Sequence, residues 1–149
     1  MHLYQNHQNE IISIQSNLYK PSEDEEYMSP MQLEYFKNKL LSWKKELQEE
    51  FSRTALRIKE KEFSESDITD KASDEIDMSI CLRTQDRYRK LINKIDTALH
   101  RIESGDYGYC QETNEPIGLG RLEARPIATL SIAAQEKHEK FERFHNQDD

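Results

Sequence analysis

Two aspartates three residues apart, Asp67 and Asp70, are followed by Ala72 in a stretch rich in turn formers and helix caps, Ser64-Glu65-Ser66-Asp67-Ile68-Thr69-Asp70. The plainer reading is that they cap the helix that follows. Carboxylates carried on a protruding turn can also meet a magnesium ion or basic side chains inside a partner's cavity. A second feature is a run of cations, Arg83, Arg87, Arg89, Lys90 and Lys94. It reads either as a solvated face paired with the acidic first helix or as a contact for an acidic partner or a phosphorylated ligand.

Cys110 raises the question of metal. A structural zinc site of the ribbon type needs four thiolates, usually as two C-x-x-C pairs. Cys110-Gln111-Glu112-Thr113 offers one, and the only other cysteine, Cys81, lies far upstream. No zinc is expected, so the module must rest on residues such as Tyr107, Tyr109, Ile117, Leu119, Leu122 and Leu130. His2, His7, His100, His138 and His145 are scattered and read as surface residues. With no phosphate-binding glycine loop, nucleophile elbow or metal-spaced histidine pair, nothing points to an enzyme.

The elements that must position these residues are helical. Ser29 is a good N-cap, Pro30 suits the first helical position and Gln32 completes a capping box. Leu33, Phe36, Leu40, Trp43, Leu47, Phe51, Thr54 and Ile58 then alternate three- and four-residue steps, a heptad seam with one stutter. Periodicity fails between about Glu60 and Ser73. A second helical pattern follows through Ile76, Ile80, Leu91, Ile95, Ala98, Leu99 and Ile102, and stops at Ser104-Gly105. Two arms of about 35 residues make an antiparallel coiled coil of roughly 50 Å, with its tip near 64–73.

The remainder, 105–149, reads as a small module. Asp106 to Cys110 suggests a short strand or knuckle, and Ile117 to Gly120 a turn. A closing helix from Thr129 to Phe144 is expected to be anchored by Phe141 and Phe144. Residues 1–28 form an arm with a short apolar patch at Ile11, Ile12, Ile14 and Leu18. The expected fold is mainly α: a long two-helix hairpin at 29–104 on a small base.

Composition agrees. Of the 149 residues, 35% are hydrophobic and 34% charged, which suits exposed helices better than a large core. A net charge of −8 counts against phosphate-driven DNA binding. Nothing resembles a signal peptide, and no apolar run approaches the ~20 residues of a membrane span. A cytoplasmic monomer is expected.

Taken together, these segments resemble the DksA family of bacterial transcription factors. The likeness is carried by Glu26-Tyr27-Met28, Asp67-x-x-Asp70-x-Ala72, Arg87-Tyr88-Arg89-Lys90-Leu91-Ile92, Gly108-Tyr109-Cys110, Glu115-x-Ile117-Gly118 and Arg121-Leu122-Glu123-Ala124-Arg125-Pro126. The resemblance implies a coiled coil inserted into the secondary channel of bacterial RNA polymerase. It also implies control of ribosomal RNA and amino-acid biosynthesis promoters, together with the alarmone ppGpp. By position, Asp67, Asp70 and Ala72 match the functional tip and Arg87 a polymerase contact. Leu91, Lys94 and Arg125 match the ppGpp site.

Two departures stand out. Zinc-finger members carry cysteines where this chain has Thr113, Ser131 and Ala134, so only Cys110 remains of that set and a zinc-independent variant is implied. Gln135 stands where a lysine commonly contributes to ppGpp binding; losing that cation would weaken the site by about 1–3 kcal/mol. Three alternatives remain: a Gre-type cleavage factor sharing the acidic tip, a plain coiled-coil interaction protein, and a DNA-binding finger protein. The stretch from Arg121 to Pro126 and the closing helix favour the DksA reading over the first.

Overall fold

The computed structural model describes residues 18–62 and 68–146, and of 68–71 the backbone alone. Four helices follow in order: α1 (Pro30–Glu62), α2 (Ile68–Ser104), α3 (Leu119–Ala124) and α4 (Ile132–His145). Among the described residues there is no strand, only an isolated antiparallel bridge between Tyr109 and Pro116. The chain forms two compact units, one from 1–39 with 101–149 and the other from 40–100.

The start of α1 is built as its sequence requires. The Ser29 hydroxyl accepts from the Gln32 N–H at 3.3 Å, and the Gln32 side-chain oxygen accepts from the Met28 N–H at 2.8 Å. Gln32 is wholly buried, and its amide nitrogen donates to the Ser22 carbonyl at 3.2 Å. These bonds satisfy donors that a helix start otherwise leaves bare.

Unit 40–100 is the helical pair. Moving up α1 is matched by moving down α2: Lys44 pairs with Asp96 at 2.6 Å and Lys61 with Asp77 at 3.4 Å. Between them, the Arg89 guanidinium lies 5.8 Å from the centre of the Phe51 ring. This is an antiparallel register. On α1 the expected seam is the one that packs, with Leu40, Leu47 and Thr54 buried and Trp43, Phe51 and Ile58 half-buried.

On α2 the half nearer Ser104 follows the expected stripe, with Ile95 and Ala98 buried and Leu91, Leu99 and Ile102 half-buried, but the half nearer Ile68 differs from it. Asp74, Met78, Cys81, Gln85, Tyr88, Ile92, Ile95 and Leu99, all buried or half-buried, keep an unbroken four-three alternation. Ile76 and Ile80 are off it, 63% and 55% exposed. A seam occupied by polar and polarisable groups in its distal half hides from a reading based on hydrophobicity.

The base, 1–39 with 101–149, closes around Phe36, Tyr107, Cys110, Ile117, Leu122, Ile127, Ala128 and Ala134. Helix α2 ends in a Schellman turn. Gly105 adopts φ +84°, its N–H bonds the Ile102 carbonyl, and the Asp106 N–H bonds the Arg101 carbonyl at 3.0 Å. Leu119 and Gly120, expected in a turn, open α3 instead, with Gly118 at its N-cap. Helix α4 begins at Ile132, with the Ser131 hydroxyl accepting from the Ala134 N–H.

Phe141 and Phe144 do not anchor this helix. They are 62% and 70% exposed, and α4 buries Ala134. The helix is held at its N-terminal turn, where Ser131 caps it and Ala134 is buried.

Candidate functional site

The tip residues are only partly visible. Asp67 lies outside the described residues. Asp70 falls in the first turn of α2, and Ala72 is exposed on the next turn. The ion pair from Lys61 to Asp77 joins the two helices close to the start of α2.

Arg87 is exposed on the outer side of α2, together with Arg83, Lys90 and Lys94. With Ile76 and Ile80 these residues keep a four-three alternation, so they share one outward face. Lys90 is paired with Asp86 of its own helix at 2.9 Å, and Arg89 reaches the same carboxylate at 3.7 Å. Among the described residues, no cation of α2 forms an ion pair with the first helix; the cross-helix pairs place lysines on α1 and aspartates on α2. Among the described residues, Arg83, Arg87 and Lys94 have no ion-pair partner.

Leu91 is half-buried and Lys94 exposed, one turn apart on α2. In the base, Arg125 ends α3 through its N–H to the Arg121 carbonyl at 2.7 Å and leaves its side chain in solvent. Gln135 donates to Glu139 at 3.2 Å.

Cys110, Thr113, Ser131 and Ala134 converge at one place in the base. The Cys110 N–H donates to the Glu115 carbonyl at 2.8 Å, and its carbonyl accepts from the Asn114 N–H at 2.9 Å. Asn114 takes φ +58°, a conformation asparagine tolerates. Burial pushes the Cys110 thiol up. The Thr113 hydroxyl and the N–H groups of Ser131, Thr113 and Glu112 more than offset this and bring its pKa down to about 6.

The knuckle therefore directs its donors at a single sulfur. It does not fit a tetrahedral zinc ion. Thr113 is already bonded to the thiol, the Ser131 hydroxyl caps α4, and Ala134 has no donor atom. Among the described residues, no group of three or more His, Cys, Asp or Glu side chains could hold a metal.

Other ties in the base escaped the sequence reading. The Tyr27 hydroxyl donates to the Gly108 carbonyl at 2.7 Å and accepts from the Gly118 N–H at 3.0 Å. Buried Arg101 donates to the Asp106 and Tyr109 carbonyls at 3.0 and 2.6 Å. Glu123 accepts from Tyr35 at 2.6 Å and from Lys39 at 2.8 Å. The Glu26-Tyr27-Met28, Gly108-Tyr109-Cys110, Glu115-x-Ile117-Gly118 and Arg121-to-Pro126 segments mark some of these places, but none reveals its partners.

Comparison with known proteins adds independent findings. The family model for the DnaK suppressor protein DksA, N-terminal domain, matches residues 32–102. The model for the prokaryotic dksA/traR C4-type zinc finger matches 105–140, where this chain has one cysteine. The RNA polymerase-binding transcription factor DksA of Caulobacter vibrioides (strain NA1000 / CB15N) is 53% identical over 137 residues, spanning 92% of this chain and 96% of that protein. The protein of the same name from Escherichia coli (strain K12) is 40% identical over 114 residues, 76% of each chain. The structure of transcription factor DksA2 from Pseudomonas aeruginosa superposes with a TM-score of 0.75 at 44% identity, covering 83% of this chain and 94% of that one.

Proposed function

The chain belongs to the DksA family, and from that premise we propose that it binds bacterial RNA polymerase and regulates transcription initiation. It is a regulator rather than an enzyme, as the names of its relatives are those of transcription factors. In this reading the helical pair enters the secondary channel with Asp67, Asp70 and Ala72 leading, and Arg87 meets the polymerase. Leu91, Lys94 and Arg125 contribute to a ppGpp site that Gln135 leaves one cation short. The base works without zinc, and no sequence-specific contact with DNA is made. Ribosomal RNA promoters are repressed and amino-acid biosynthesis promoters assisted.

The observation that carries this reading is the antiparallel helical pair with Asp70 and Ala72 in the opening turns of α2, close to the ion pair that joins Lys61 of α1 to Asp77 of α2. The exposed cations Arg83, Arg87 and Lys94, without internal partners among the described residues, support it further. An acidic surface elsewhere would satisfy them.

The test is multi-round transcription from a ribosomal RNA promoter with cognate polymerase, comparing wild type and Asp70→Asn with and without ppGpp. Wild type inhibits, the variant does not, and ppGpp deepens the inhibition. Lack of effect at saturating protein would remove the proposed function. Transcript cleavage in a backtracked complex would replace it with a Gre-like one.

A further inference from the structure

Arg125 is carried on a closely pinned stretch of backbone. Its N–H bonds the Arg121 carbonyl at 2.7 Å, and its carbonyl accepts from the Ala128 N–H at 3.0 Å. The Pro126 carbonyl accepts from the buried Tyr107 hydroxyl at 2.8 Å, and residues 126–128 are all buried. On the other side Leu122 is wholly buried. The Arg125 side chain nevertheless stands in solvent, with no ion-pair partner among the described residues. A guanidinium on a fixed backbone loses little freedom when it meets a phosphate, and that preorganisation converts into affinity.

One tie on this stretch comes from outside it. Helix α3 has six residues, too few to hold its own shape in water, and its last carbonyls need partners. Lys39 of α1 supplies one. Its ammonium donates to the Glu123 carbonyl at 3.0 Å and to the Glu123 carboxylate at 2.8 Å, gripping one residue by backbone and side chain together. Tyr35, one turn earlier on α1, donates to the same carboxylate at 2.6 Å. Burial raises the Glu123 pKa, but the bonds from Lys39 and Tyr35 outweigh it and hold the carboxyl below its usual range. Lys39 and Glu123 are 34% and 47% exposed, and an ion pair so exposed adds little stability of its own. The bond to the backbone carbonyl fixes position instead, two residues before Arg125.

We propose that Lys39 is a positioning residue for Arg125: by holding Glu123 at the end of α3 it aims the Arg125 guanidinium at a phosphate of the ligand, without touching that ligand itself. This rests on the reading above that Arg125 contributes to a ppGpp site. Without the Lys39 amine the Glu123 carbonyl is free to turn towards water, and Arg125 then samples directions in which it misses the phosphate. The consequence is selective. Inhibition that needs only the helical pair persists, while the increment from ppGpp requires more ligand.

Multi-round transcription from a ribosomal RNA promoter, with cognate polymerase and the full-length protein, tests this by titration with ppGpp. The readout is the increment in inhibition that the protein adds over polymerase alone. The variants are Lys39→Met, Lys39→Arg, Glu123→Gln, Arg125→Ala and Lys39→Met/Arg125→Ala, with melting temperatures measured alongside. Lys39→Met raises the ppGpp concentration for half-maximal effect about fivefold and leaves inhibition without ppGpp unchanged. Lys39→Arg restores the wild-type response, and Glu123→Gln, which keeps the carbonyl for Lys39, has the smaller effect. The double variant is as weak as Arg125→Ala alone, because Lys39 acts through Arg125. If Arg125→Ala weakens the response while Lys39→Met stays within about twofold of wild type, Lys39 does not position Arg125. A double variant weaker than Arg125→Ala would place Lys39 on the ligand, and equal deficits with and without ppGpp would make it a structural residue of the base; either overturns the proposal. A wild type without a ppGpp increment, or an increment that Arg125→Ala keeps, would remove the ppGpp reading itself and this inference with it.

Discussion

Tyr27 donates its hydroxyl proton to the carbonyl of Gly108, a residue 81 positions further along the chain. The same oxygen accepts from the Gly118 N–H, and the Gly108 carbonyl also accepts from the Ile117 N–H at 2.8 Å. One phenol thus ties the segment before α1 to both ends of the knuckle. Tyr27→Phe keeps the ring and its edge-on contact with Tyr109 but strips an acceptor from Gly118 and a donor from Gly108. We expect a loss of about 1–2 kcal/mol, read as a lower urea midpoint at unchanged m-value. A midpoint equal to wild type would show that water replaces the hydroxyl at no cost.

Gly108 is itself constrained twice. Its φ of +88° disfavours any side chain, and a Cβ there would stand 2.7 Å from Cγ and Sδ of Met28. Gly108→Ala is expected to destabilise the protein by about 2–3 kcal/mol, strain and overlap together. Adding Met28→Ala should recover the part due to overlap and leave the backbone strain. The double-mutant cycle measures this coupling; strict additivity would mean that the methionine simply swings aside.

The Cys110 thiol titrates near 6 in the folded protein against a reference of 9.0. A lowered folded pKa means that, between those values, the unfolded chain binds more protons than the folded one. Stability from this group therefore grows as pH rises from about 6 to about 9 and disappears below 6. Cys110→Ala should flatten that part of the melting-temperature profile relative to wild type. Parallel wild-type and variant profiles would show that the sulfur stays protonated.

On the proposed zinc-independent reading, the base should ignore chelators. Protein purified without added metal should carry far less than one equivalent of zinc, and its melting temperature should not move in excess EDTA. Equimolar zinc that resists dialysis, or a chelator-induced drop in the melting temperature, would overturn the zinc-independent reading.

What the sequence made legible followed from how strongly each element states itself. Helix α1 was readable from Ser29 to Ile58 because caps and apolar spacing agree, and the same residues pack. On α2 the apolar isoleucines Ile76 and Ile80 drew attention away from a seam running through Asp74, Met78, Cys81, Gln85 and Tyr88. Phe141 and Phe144 misled in the same way, since hydrophobicity says that a side chain should be covered but not by which molecule. The four knuckle positions were locatable by resemblance. That Cys110 gathers backbone N–H groups was not, because those donors come from 112, 113 and 131 through backbone geometry alone.

The bond between Tyr27 and Gly108 also bears on the order in which the chain assembles. Nothing near the N-terminus can complete the knuckle until residue 108 has been synthesised, and closing an 81-residue loop in one step is entropically slow. Zipping the helical pair first as far as Lys44 and Asp96 leaves roughly thirty unpaired residues to close, lowering the closure cost by about 1 kcal/mol on the logarithmic scale of loop length. The hairpin is then a folding template, and substitutions along its seam should delay closure of the base.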